Sequence, residues 1–356
     1  MKSALTKASA FCARFGLKLP ILLAPMAGAS APSLSIAVAN AGGLGACGAL
    51  LMQPAAILSW AAEVRAGTNG AFQLNLWVPD PKPFRDPEHE ARVRDFLAGW
   101  GPLVPPEAGD ATPPDFAAQC EAFLQVAPPI VSSVMGLYPS DLVARLKAQH
   151  IAWFANVSTV AEARAAEEAG ADVVVAQGME AGGHRGCFHA AKAEAEMVGL
   201  FALIPAVVDA VRIPVVATGG IADARGVAAA LTLGASAAQI GTGFLRCPEA
   251  QIAPAWADAI GRTLPEETTV SRVFSGRAGR SIATAYVRAA TAPEAPRPAP
   301  YPVQRGLTTA MRDVGTKAGD IERIQAWAGQ SAALAKVEHV GDVVRSLWED
   351  ARDLLA

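Results

Sequence analysis

The sequence predicts an α/β protein: a (β/α)8 TIM barrel with an inserted smaller, mainly helical lobe. Three observations lead there. Eight short apolar runs recur along the 356 residues, with helical patterns between them. Each run is continuous rather than alternating, as expected for a strand covered on both faces. Two connections are too long for a bare crossover, and both follow strands, where a barrel keeps its functional loops.

Strands are expected at 20–26, 44–50, 72–78, 129–135, 151–157, 172–177, 214–218 and 237–241. Helices are expected at 33–40, 54–65, 140–149, 160–169, 200–211 and 223–233. Gly42, Gly67, Gly170 and Gly234 stand just past helix ends and read as left-handed stops. Ser140-Asp141 reads as a cap-like start. Residues 79–115 are rich in Pro, Asp and Glu, carry a helix-like stretch at 88–98, and read as an insertion over the barrel mouth. Beyond Arg246 the pattern changes: helix-like at 248–260, Pro- and Ala-rich at 291–302, partly helical at 307–331. An amphipathic helix at 340–355 suits the last barrel helix. The barrel thus takes residues 1–245 plus 335–356, and 246–334 form an accessory lid lobe. A doubly wound open sheet is the alternative, because strand order cannot be read from one sequence.

Composition narrows the function classes. Hydrophobic residues make up 52% and charged residues 18%, which excludes disorder and demands a large core. The net charge is -3 with no block of Lys or Arg, so nucleic acid is not an expected partner. No run of about 18 apolar residues lacks a charge or breaker, so no membrane span is expected. Arg14 and Lys18 interrupt the apolar start, which argues against a signal peptide. Five cysteines are widely spaced, without a CxxC pair or metal-ligand spacing. They read as free thiols in a reducing cytoplasm, with no metal site.

Four sets of residues could carry chemistry. The seventh strand ends in Thr218-Gly219-Gly220 and the eighth in Gln239-Ile240-Gly241-Thr242. Glycines there let backbone N–H groups approach an anion, and barrels often hold a phosphate at these two loops. The alternative is two tight turns that need positive φ. The second set is Gln177-Gly178-Met179-Glu180-Ala181-Gly182-Gly183-His184-Arg185-Gly186. Gln177 could bond a ring edge, while Gly182 and Gly183 permit close approach of a flat cofactor. His184, with an expected pKa near neutrality, suits general base work; the alternative is a surface histidine. Glu180 and Arg185 are expected to form an ion pair, and His189 to be solvated. The third set is Pro25-Met26-Ala27, where something flat could lie, although core packing explains Met26 equally. The fourth is Asn75, an amide inside an apolar strand, which needs a partner if buried.

These residues together resemble the nitronate monooxygenases, formerly 2-nitropropane dioxygenases. The string QGMEAGGHRG at 177–186 is the most specific part, and FSGRAGRS at 274–281 and AWAGQS at 326–331 extend it. The resemblance implies FMN bound without covalent linkage at the C-terminal face of the barrel. It assigns flavin contacts to Asn75, Gln177, Gly182 and Gly220, and Pro25, Met26, Ala27, Gly183 and Gly219 are expected to bind the cofactor beside them. It assigns the phosphate to Gln239, Ile240, Gly241 and Thr242, and the catalytic base to His184. The implied reaction oxidises an alkyl nitronate with molecular oxygen to a carbonyl compound and nitrite; separately, a monomer or homodimer is expected. One departure concerns the fourth strand, where Val134 stands at the position of a histidine in many such proteins. Related proteins reduce an enoyl thioester or a quinone with NAD(P)H, so an NAD(P)H-dependent FMN reductase is the alternative.

Overall fold

The computed structural model describes residues 4–356. In chain order the elements begin with α1 (Ala4–Phe15), β1 (Ile21–Leu23), α2 (Pro32–Asn40), β2 (Gly45–Gly48), α3 (Pro54–Gly67) and β3 (Phe72–Trp77). There follow α4 (Pro87–Leu97), α5 (Phe116–Val126), β4 (Ile130–Val134), α6 (Ser140–Ala148), β5 (Ala152–Val157), α7 (Val160–Glu168) and β6 (Val173–Gln177). Next come β7 (Gly183–His184), α8 (Leu200–Ala210), β8 (Val215–Thr218), α9 (Ala224–Thr232), β9 (Ala237–Ile240) and α10 (Pro254–Ile260). The chain ends with β10 (Thr268–Ser271), β11 (Gly279–Ile282), α11 (Ala285–Ala290), α12 (Val303–Leu307), α13 (Thr309–Ala318) and α14 (Val340–Leu355).

Eight strands form one parallel sheet in the order β1-β9-β8-β6-β5-β4-β3-β2. Leu22 bridges Leu44 in the parallel sense, and the Leu23 amide donates to the Leu44 carbonyl at 2.9 Å. That bridge joins the two ends of the sheet into a ring. The eight expected strands are therefore the eight barrel strands, and the open-sheet alternative, which needs two free edges, is excluded.

Inside the ring, period-2 alternation sorts the side chains by height. The lower layer is apolar: Leu22, Leu44, Ile130, Phe154, Val173 and Val216 form one buried cluster with Phe11 and Cys12 of α1. Helix α1, not anticipated from the sequence, closes the N-terminal end, with Phe15 edge-on to Phe154 at 5.0 Å. Higher up, the inward positions turn polar: Gln73, Asn75, Ser132, Asn156, Gln177, Thr218 and Gln239. Outside the ring, larger apolar clusters seat the helices. In α14 the buried residues are Val340, Val343, Val344, Leu347 and Ala351, a helical stripe facing α9 and α2.

The segment 246–334 is not purely helical. It supplies β10 and β11, whose antiparallel pair continues onto β7, so Gly279 pairs with His184 and Arg280 with Gly183. The insertion after β3 packs on this segment: Val93, Leu97 and Val104 share a buried cluster with Phe274, Tyr286, Val303, Leu307 and Met311. Two local expectations also fail. Gly67 lies within α3 rather than stopping it, and the Ser140 side chain makes no cap bond because Pro139 holds the N-cap position.

Candidate active site

A cavity of about 350 Å³ opens at the C-terminal ends of the barrel strands, a size within the range of small-molecule sites. Of the thirteen residues expected to contact a cofactor, twelve line it: Pro25, Met26, Ala27, Asn75, Gln177, Gly182, Gly183, Gly219, Gly220, Gln239, Gly241 and Thr242. Ile240 does not. Strand alternation turns its side chain outward into the cluster beneath the helices, where it is 1% exposed. His184 lines the cavity as well.

Each polar side chain has a structural reason for its place. Asn75 Nδ2 donates to Ser132 Oγ at 2.9 Å and to the Ser132 carbonyl at 3.2 Å. Gln177 braces the loop that follows it: its Nε2 donates to the His184 carbonyl at 3.1 Å, and its Oε1 accepts from the Gly186 amide at 2.7 Å. The expected Glu180–Arg185 ion pair is not formed. Glu180 instead accepts from the Leu200 amide at the start of α8, while buried Arg185 donates to the Gly178 carbonyl at 2.8 Å. The orphan amide of a helix start and the orphan carbonyl of a loop each claim one partner. His189 is exposed, as expected.

Gly219 and Gly220 have φ of 114° and 65°, so the turn after β8 needs glycine and presents its backbone to the cavity. Gly182 is required for a different reason. A Cβ there would stand 2.5 Å from the Gly329 nitrogen and 2.7 Å from the Ala328 carbonyl carbon. The loop 177–186 therefore packs backbone to backbone on 326–331, and the Gln330 amide donates to the Glu180 carbonyl at 2.9 Å. Gly182→Ala should cost about 1–3 kcal/mol through this overlap, read by chemical denaturation. An unchanged midpoint would show that the two segments are free to separate.

His184 is fixed on every side. Its backbone belongs to β7, its Nε2 lies 2.8 Å from Ser275 Oγ, and its ring sits between Trp77 at 4.8 Å and Trp327 at 4.9 Å. The residue lines the cavity and is otherwise enclosed by these side chains. Burial, reinforced by the nearby charges of Arg277 and Arg305, pushes its pKa from 6.5 down to about 3. The near-neutral value expected from the sequence is thus corrected. The sign follows directly: between pH 6.5 and about 3 the unfolded chain holds a proton that the folded ring refuses. This group's contribution to stability is fully present above 6.5 and is lost as pH falls through that window. An NMR titration of the protein should find the His184 ring still neutral at about pH 5; a midpoint near 6.5 would contradict the enclosure described.

Several lining residues escaped the sequence reading: Ser132, Asn156, Trp77, Trp256, Trp327, Arg305, Arg312 and Gln325. Ser132 and Asn156 were findable, being polar residues at inward positions of β4 and β5. The others come from distant segments. The distal strings at 274–281 and 326–331 supply Ser275 against His184 and Gly329, whose amide donates to Thr242 Oγ1 at 3.0 Å. Val134 also lines the cavity.

The nitronate monooxygenase family model matches residues 9–350 of this chain. The chain belongs to the nitronate monooxygenase family. It is 37% identical over 349 residues to a nitronate monooxygenase of Paraburkholderia phytofirmans, covering 95% of this chain and 93% of that one. A nitroalkane oxidase from Streptomyces ansochromogenes superposes with a TM-score of 0.88 at 34% identity, covering 97% and 100% of the two chains. FabK from Thermotoga maritima follows at a TM-score of 0.76 and 27% identity, covering 97% and 96%. Members of this family are oxidoreductases that generally depend on a flavin, and the closed barrel with its cavity at the C-terminal face is common ground for that chemistry.

Proposed function

We propose that this chain holds FMN, without a covalent link, in the barrel cavity and oxidises alkyl nitronates with molecular oxygen to a carbonyl compound and nitrite. The observation that carries the reading is the charge and donor pattern of the cavity. Arg305 and Arg312 border it, no Asp or Glu among the described residues does, and the glycines after β8 offer backbone to an anion. The buried amide nitrogens of Asn156 and Gln325 have no hydrogen-bond partner among the described residues, and both side chains belong to its lining. Such donors suit a polar heterocycle carrying a phosphate, together with an anionic substrate. The flavin, when bound, supplies the electron acceptance and the oxygen chemistry.

The protein's own residues do the rest. Asn75, Gln177 and Gln239 line the cavity floor, and Gly219, Gly220, Gly241 and Thr242 would hold the phosphate. His184 acts as the base toward neutral nitroalkanes. Ser275 Oγ lies 3.2 Å from the Arg277 carbonyl. With the hydroxyl donating there, its oxygen accepts Nε2–H of His184 and leaves the Nδ1 lone pair to take a proton. A nitronate arrives already deprotonated and needs no such step. Residues 246–334 act as a lid lobe that shields the ring from water. The five buried free thiols support a cytoplasmic setting, and no helix among the described residues is long and apolar enough to cross a membrane.

The test is direct. The purified protein should be yellow and should release nitrite from propyl 1-nitronate in air. A colourless protein that cannot be loaded with FMN would sink the cofactor assignment. Anaerobic bleaching by NADH or NADPH with no nitrite formed would favour the reductase acting on an enoyl thioester or quinone. That alternative has the weaker support, since the nitroalkane oxidase structure matches this chain better than the FabK structure does.

A further inference from the structure

Two guanidinium groups border the cavity, and they are held very differently. Arg312 is fully engaged by neutral oxygens: its Nε donates to Thr308 Oγ1 at 3.2 Å, Nη1 to Gln325 Oε1 at 3.1 Å, and Nη2 to the Arg305 carbonyl and Thr309 Oγ1, both at 3.0 Å. Arg277, which also acts on His184, is paired with Asp80. Among the described residues, none accepts a hydrogen bond or ion pair from the guanidinium of Arg305.

Arg305 is nevertheless not a loose surface side chain. It is half-buried on α12, and that helix is clamped from both ends. Gln304 Nε2 donates to the Val273 carbonyl at 2.8 Å while its Oε1 accepts from the Ala299 amide at 2.9 Å. Thr308 Oγ1 donates to the Phe274 carbonyl at 2.7 Å, and Val303 and Leu307 are buried. The charge of Asp313 acts on it, but no carboxylate bonds it, and a cation half-withdrawn from water without a direct partner is costly. Carrying it on a fixed helix beside a cavity whose described lining holds no carboxylate makes sense when a ligand brings the anion.

We propose that Arg305 is the anion-binding residue of the substrate pocket, its planar fork taking the two oxygens of a nitronate group beside His184 and so selecting the anionic substrate over the neutral nitroalkane. The match is geometric: two parallel N–H donors meet two coplanar oxygens, as in carboxylate recognition. Arg305 and His184 line the same cavity, and the Arg305 charge also lowers the proton affinity of His184. This inference rests on the flavoenzyme reading above and names the residue that recognises its substrate.

The test compares wild-type holoprotein with Arg305→Gln and Arg305→Lys. Three quantities are read: FMN content, affinity for nitrate (a planar monoanion) by flavin absorbance, and KM for propyl 1-nitronate against KM for nitroethane. In Arg305→Gln, FMN content should match wild type, while the nitrate Kd and nitronate KM rise about tenfold or more. The nitroethane KM should move less than about threefold, because no charge-assisted bond is lost in the ground state. Arg305→Lys should recover part of the loss, since it keeps the charge but not the fork. Unchanged nitrate affinity and nitronate KM would overturn the proposal. So would loss of FMN from the variants, which would put the guanidinium on the cofactor. If wild type forms no nitrite, the reaction assignment fails, yet the nitrate titration still judges Arg305.

Discussion

His184→Ala should lower turnover of neutral nitroalkanes by about 10²–10⁴-fold, the usual contribution of a positioned general base. Oxidation of propyl 1-nitronate should fall far less. The asymmetry comes from protonation: the neutral substrate must lose its α-proton before it can be oxidised, and the nitronate has already lost it. The ring is unprotonated throughout the working pH range, so its lone pair is available, and the burial that keeps it neutral also weakens it as a base. Its orientation is set by Ser275, Trp77 and Trp327. Steady-state oxygen consumption with nitroethane and with propyl 1-nitronate checks this. Equal losses on both substrates would mean that His184 packs or binds rather than removes a proton. The pattern is the mirror of that expected for Arg305→Gln, whose KM defect falls on the anion. The two variants together separate proton removal from anion recognition.

Asp80→Asn should destabilise the protein by about 3 kcal/mol or more, the cost of leaving a buried charge without its partner. Arg277 is 2% exposed and donates to both oxygens of Asp80 at 2.7 Å, while its Nη2 donates to the Cys187 carbonyl at 2.8 Å. Three parts of the chain meet there: the loop after β3, the loop after β6, and the segment leading into β11. The guanidinium also lies 5.5 Å from the Trp77 ring, which stacks on Tyr301 at 4.7 Å. Removing the carboxylate's charge thus loosens the wall of the cavity along with the segment that carries Arg277. Denaturant unfolding reads the loss. In Asp80→Asn combined with Arg277→Met, part of it should return, because two apolar or neutral groups need no counter-charge. If the double variant were as unstable as the sum of the singles, the pair would not be the source of the effect.

The barrel was legible because its signals are local. A continuous apolar run followed by an amphipathic helix is written in adjacent residues, and α14 shows the same stripe in structure as in sequence. What stayed hidden is instructive. Helix α1 carries no strand beside it and earns its place only by filling the end of the ring over Phe154. Strands β10 and β11 are short and largely polar, so they lack the pattern of a buried strand; they exist because they pair with each other and β7 gives β11 an edge. Ile240 was placed with its neighbours in an anion loop, but alternation within β9 sends it to the opposite side from Gln239 and Gly241.

The cavity follows the same division. Residues at the tops of barrel strands, such as Asn75, Gln177 and the glycines after β8, could be chosen from the sequence, since strand ends and turn glycines mark them where they stand. The sequence by itself therefore determined the barrel, the loop of 177–186 and His184 as its outstanding member. Tertiary structure alone decided the environment of that histidine. Trp77, Ser275, Arg305 and Trp327 lie as much as 250 residues apart along the chain, and no periodicity links them. Long-range packing brings them around one imidazole, and burial among them is what turns an expected near-neutral histidine into one that stays unprotonated down to about pH 3.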